Sequence, residues 1–66
     1  MKIEDITEPH SFHYSRTLRG KTISGTGRIV QKYPAANGWQ IILHDAKNKR
    51  APTLRPVHIL RRVRIR

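Results

Sequence analysis

Fourteen lysines and arginines face four acids in this 66-residue chain, a formal net charge of +10. Nine of the fourteen are arginine, whose planar guanidinium makes paired hydrogen bonds to phosphate oxygens and guanine edges. Three of the acids, Glu4, Asp5 and Glu8, precede His10; beyond that point Asp45 stands alone against thirteen basic residues. Such a chain repels itself when alone and gains when it meets an anion. The spacing gathers the charges into groups. Arg28 and Lys32 share one face of a regular strand. Lys47, Lys49 and Arg50 crowd one turn, and Arg55 follows. Arg62, Arg64 and Arg66 alternate with Val63 and Ile65, a ladder whose repulsion a phosphate backbone would relieve. Tyr33, beside Lys32, is placed to stack on a base, a contact worth ~1–3 kcal/mol. These residues are the candidate nucleic-acid-binding set, contacting DNA or RNA mainly through phosphates. Six such contacts to a duplex would give a salt slope of about −5.

Other chemistry finds little to work with. General acid–base catalysis needs groups held at set distances with tuned acidity, and no paired-carboxylate site is evident. There is no cysteine, which excludes thiol chemistry and disulfide staples and fits a reducing compartment. Ser11, Ser15 and Ser24 have no nucleophile motif around them. Gly20-Lys21-Thr22 echoes the end of a phosphate-binding loop, but Ser15 stands where the first glycine of that pattern belongs. His10, His13, His44 and His58 have no thiolate beside them and read as surface or packing residues, not metal ligands. The expectation is a protein that is not an enzyme and needs no cofactor.

The elements that would carry the basic groups are short and β-like. Residues 1–9 read as an acidic tail; alternatively Ile3 and Ile6 sit on one side of a helical turn, or cap a barrel. Phe12, Tyr14 and Leu18 alternate weakly with polar neighbours, and Gly20-Lys21 suits a turn. Gly25 and Gly27 lie two apart in a strand running to Tyr33, which marks a bulge, a bend or a close backbone approach. A five-residue loop from Pro34 to Gly38 leads to the clearest strand, where Trp39, Ile41 and Leu43 share a face. Pro56 interrupts the ladder after a short strand at Thr53–Arg55. The C-terminal stretch from Val57 reads as a turn plus strand, with a basic amphipathic helix as its rival.

Residues 27–63 resemble the later strands of small β-barrels of the Src-homology-3-like and Sm-like superfold. The likeness rests on GRIV (27–30), GWQIILHD (38–45) and TLRPVHILRRV (53–63), with PVHIL where such barrels place a single-turn helix before the last strand. The ending is similar to that of the plasmid-borne trimethoprim-resistant dihydrofolate reductases, yet TLRP (53–56) stands where those carry Val-Gln-Ile-Tyr. The resemblance therefore implies no reductase activity. The His-containing final segment is similar to that of bacterial Sm-like RNA chaperones. Regulatory domains of the WYL type show a comparable threonine-aromatic-arginine run, with Leu54 here in the aromatic's place.

The sequence thus predicts one all-β domain over residues 10–66, a strongly bent antiparallel barrel of about five strands. Its expected core is Ile23, Ile29, Trp39, Ile41, Leu43, Leu54, Ile59, Leu60 and Val63. The expected partner is DNA or RNA. The alternative is a protein-interaction module that binds an acidic partner or builds a homo-oligomer. The longest uninterrupted apolar run, Ile41–Leu43, is far too short for a membrane span, and the default location is the cytoplasm. A chain this small buries only roughly 60% of the surface its unfolded form exposes, so a compact core, an oligomer or a partner must stabilise it.

Overall fold

The computed structural model describes residues 2–64. Five strands, β1 (Ser11–Leu18), β2 (Lys21–Ala35), β3 (Gly38–His44), β4 (Thr53–Leu54) and β5 (Ile59–Arg62), form one antiparallel sheet. Their order is β4-β3-β2-β1-β5. Single 3-10 turns cover Ile3–Asp5 and Pro56–His58. The C-terminal stretch is therefore turn plus strand. Pro56 opens the turn, where its missing N–H costs nothing.

The connection between β4 and β5 forces the sheet to roll. In a flat sheet the two outer strands would lie ~19 Å apart, four strand spacings. Only Arg55 and the 3-10 turn join them, and such a turn advances just ~2 Å per residue. β4 must therefore curl back towards β1 and β5. Arg16 of β1 bridges the resulting seam, its guanidinium donating to the Thr53 carbonyl of β4 at 2.6 Å.

The hairpins are tighter than the sequence suggests. Leu18 pairs with Lys21, and the two residues between them, Arg19 and Gly20, both have positive φ, 52° and 78°. That is the turn whose twist matches the flanking strands. The expected loop from Pro34 to Gly38 is instead mostly ladder. Pro34 pairs with Trp39 and Ala35 with Gly38, leaving only Ala36 and Asn37 to turn the chain.

The interior holds Phe12 and Tyr14 from β1, Ile29 from β2, Ile41 and Leu43 from β3, Leu54, Ile59 and, from the N-terminal segment, Ile6. Each is at most 2% exposed, and burying such a side chain stabilises the fold by roughly 1.5–3 kcal/mol. Ile3 packs against this core, so a capping turn describes residues 3–6. The expected core needs correction at four positions. Trp39, 37% exposed, sits opposite Pro34 near the hairpin tip, beyond the end of the barrel. Leu60, 58% exposed, is the unpaired residue where β5 slips against β1, between the Tyr14–Ile59 and His13–Arg61 pairs. Ile23 and Val63 are half-buried near the ends of their strands.

Asp45, the acid isolated among cations, lies fully buried at the end of β3. Its carboxylate accepts from the Tyr14 hydroxyl at 2.8 Å, the Asn48 side-chain amide at 2.8 Å and the Asn48 backbone N–H at 3.2 Å. Its backbone exchanges both hydrogen bonds with Arg50, closing the turn between them. Burial alone would raise the carboxyl pKa. The bonds from Tyr14 and Asn48 outweigh it and hold the group below its usual range. Tyr14 moves the other way, raised by burial first and then by its bond to Asp45. Two glycines make room. A Cβ on Gly25 would collide with the Asp45 carboxylate and lie 2.9 Å from the Asn48 amide, and one on Gly27 would strike Leu43 and come within 2.6 Å of the His44 carbonyl. The paired glycines thus mark a close approach and not a bend.

Two outcomes follow. Gly27→Ala is expected to destabilise by ~1–3 kcal/mol through overpacking, read as a lower urea midpoint. Tyr14→Phe leaves a buried carboxylate short of one donor and is expected to cost ~1–3 kcal/mol near neutrality. The depressed Asp45 pKa gives stability that exists above the unfolded value of ~3.9 and is lost as pH falls through the folded one. The raised Tyr14 pKa gives stability that exists below ~10 and is lost as pH rises through its folded value. The gap between wild type and Tyr14→Phe should therefore narrow below about pH 4 and above about pH 10. A gap that stays constant from acid to alkali would exclude this account of the network.

Candidate nucleic-acid interface

Residues paired across neighbouring strands share a face, so the register sorts the cations without ambiguity. On the solvent face of β3, β2, β1 and β5 one row runs His44, Arg28, Ser11, and then Val63, whose N–H bonds to the Ser11 carbonyl at 2.9 Å. The next row runs Thr26, His13, Arg61. Thr26 and His13 are joined through Oγ1 and Nδ1 at 2.8 Å.

Three depressions open along this face and at its β5 edge. One is lined by Ser11, Thr26, Arg28, His44 and Lys47. The second contains Thr26, His13, Leu60 and Arg61. The third contains His13, Arg61, Arg62, Val63 and Arg64. Thr26 belongs to the first two and His13 and Arg61 to the last two, so the three adjoin along the sheet as a chain of depressions, here called the trough. None of its lining residues is acidic. Arg28, Lys47 and Arg61 supply its permanent charge on this face, while Arg62, paired with buried Phe12, and Arg64 line its end at β5.

The local reasons lie in two slips of register. β2 carries one extra residue, Val30, between the Ile29–Leu43 and Gln31–Ile42 pairs. A bulge reverses the alternation beyond it. Arg28 therefore stays on the solvent face while Lys32 pairs with buried Ile41 and turns inward. Lys32 is half-buried, and its ammonium donates to the Ile3 carbonyl at 3.1 Å, fastening the N-terminal turn. The expectation that Arg28 and Lys32 share a face is thus overturned. At β5 the slip at Leu60 puts Arg61 beside His13 and Arg62 opposite Phe12. Arg61 is the trough residue that sequence reasoning missed. Strict alternation places Arg61 and Val63 on the core-facing side and the Arg62, Arg64 and Arg66 ladder on the other. The slip reverses this, so that Arg61 shares the face of His13 and Arg62 that of buried Phe12, and nothing in RRVR announces it.

The remaining candidates are dispersed. Lys49 and Arg50 are exposed in the same turn as Lys47. Lys49 has a positive φ of 51°, and Asn48 between them turns inward to Asp45. Tyr33, 38% exposed, pairs with Gln40 towards the hairpin tip, three positions past the bulge. Trp39 pairs with Pro34, on the opposite face of the hairpin from Tyr33, so the two aromatics do not form one stacking platform. Arg55 lies at the seam near Arg16 and His58. Arg66 lies outside the described residues.

Among the described residues no group of three or more histidines and acids is arranged to hold a metal ion. No helix among them is long and apolar enough to cross a membrane. No protein-family model, no curated protein and no solved structure matches the chain.

Proposed function

We propose that this protein is a small nucleic-acid-binding barrel, without catalytic activity, that holds DNA or RNA through backbone phosphates. The observation that carries the reading is the acid-free trough. Folding brings Arg28 of β2, Lys47 of the turn after β3 and Arg61, Arg62 and Arg64 of the C-terminal run, three separate segments, around one groove, where solubility alone would be served by scattered, mixed charge. The groove floor supports the same reading. Ser11, His13, Thr26 and His44 offer hydrogen-bonding groups suited to phosphate oxygens and sugar hydroxyls. The strand order β4-β3-β2-β1-β5, with a single 3-10 turn before the last strand, supports the likeness to Src-homology-3-like and Sm-like barrels. That likeness bears on architecture; the function is argued from the groove.

The test separates a built surface from net charge. Five phosphate contacts predict a salt slope of about −4.5 for duplex and about −3.5 for a single strand. The double variant Arg28→Gln/Arg61→Gln should lower the duplex slope by about 2. Arg19→Gln/Lys21→Gln, at the tip of the β1–β2 hairpin, removes the same charge and should leave most of the slope in place. The readout is fluorescence anisotropy of labelled duplex DNA, single-stranded DNA and RNA over a range of salt. Equal losses in the two variants, or no binding in dilute buffer, would refute the proposal. Polyglutamate bound as tightly as an oligonucleotide of equal charge would favour the acidic-partner alternative.

A further inference from the structure

The trough leaves one cationic cluster unused. Where β1 approaches β4 across the seam of the rolled sheet, a second cleft is lined by Arg16, Gln40, Thr53, Arg55 and His58. Each comes from a different place: Arg16 from β1, Gln40 from β3, Thr53 from β4, Arg55 from the link and His58 from the 3-10 turn. No lining residue is acidic. We propose that this cleft is a binding site for a single phosphate group, separate from the trough.

The side chains are prepared for such a ligand. The Arg16 guanidinium is fixed by its bond to the Thr53 carbonyl at 2.6 Å. One bond of this kind uses only one of the five guanidinium N–H donors. The Arg55 backbone N–H donates to His58 Nδ1 at 3.0 Å. Because that nitrogen accepts, the neutral ring carries its proton on Nε2, which leaves a second donor with fixed orientation. Burial first, and then the nearby guanidiniums of Arg16 and Arg55, push the His58 pKa below its ordinary value. Two arginines in one cleft with a half-buried imidazole, with no carboxylate among the described lining groups, form an arrangement that an oxyanion relieves. Two guanidiniums, an imidazole N–H and the Gln40 amide line the same cleft, a donor set that suits the tetrahedral display of oxygens on a phosphate.

The site stands independently of the nucleic-acid reading, because its ligand could be a terminal phosphate, an internal phosphodiester or free phosphate. The experiment is an NMR titration of the intact chain with inorganic phosphate, against sodium chloride at matched ionic strength. The His58 ring and the Arg16 and Arg55 side-chain N–H signals should shift and saturate, while those of Arg28 and Arg61 move only as they do in chloride. Arg55→Gln, at an exposed residue, should weaken the phosphate response by about tenfold or more while the backbone spectrum stays dispersed. Arg28→Gln/Arg61→Gln should leave it intact, so failure of the trough and failure of this cleft are distinguishable. Oligonucleotides with and without a 5′-phosphate, added to that trough variant, identify the source. A His58 shift needing the end group assigns the cleft to terminal phosphates, and an equal shift assigns it to internal ones. A linear response matching chloride, or one untouched by Arg55→Gln, would overturn the site.

Discussion

A single buried carboxylate organises the basic end of this barrel. Asp45 joins β3, through its own position, to β1 through Tyr14 and to the following turn through Asn48. Gly25 lets β2 pass close enough for the group to fit. A buried charge of this kind is tolerated only when hydrogen bonds replace its water, and here three donors do so. The consequence reaches the surface. The same bonds fix the turn that carries Lys47, Lys49 and Arg50, so the one acid of the basic body sets where three of its cations stand. Asp45 is accordingly a structural anion, fully inaccessible to any substrate.

Placement of the other cations follows from irregularities in the ladder. A regular β2 would have carried Lys32 to the solvent beside Arg28. The extra residue Val30 sends it inward beside Ile41, where its ammonium reaches the Ile3 carbonyl. Lysine suits that role because its aliphatic chain packs while the charged head finds a polar group. The slip at Leu60 has the reverse effect and brings Arg61 into register with His13 and Thr26. Both bulges therefore decide by side-chain parity which cations face the solvent, since one added residue moves every later side chain to the opposite face.

The same physics explains what the sequence discloses. Local signals were readable: the turn at Gly20, the strand from Trp39 to His44, the break at Pro56 and the all-β class rest on propensity and alternation over a few residues. The core members Ile41, Leu43, Leu54 and Ile59 come from or flank those segments, and Ile29 from the strand that follows the paired glycines. Tyr14 and Phe12 were harder because serine and histidine neighbours mute the alternation, and the Tyr14 partner lies 31 residues away. Parity beyond a bulge was not readable at all. The bulge at Val30 is set by pairing with β3, a non-local contact that no window within β2 contains. Part of the candidate site inherited this error. Arg28 and Lys47 were identified from their neighbours, whereas Lys32 was misplaced and Arg61 overlooked.

Charge and size together explain why such a fold would be matched to an anionic partner. Folding at +10 brings like charges closer than the unfolded chain holds them, which opposes compaction. The small core has little to spare against that repulsion. Two regions gather cations, the trough on the solvent face and the cleft at the seam, and neither has an acid among its described lining residues. An anion bound to either removes repulsion that the folded state alone bears, so it binds the folded chain better than the unfolded one and stabilises it by mass action. Stability and recognition are then one electrostatic problem. The arginines that weaken the isolated barrel are the groups through which a polyanion would strengthen it.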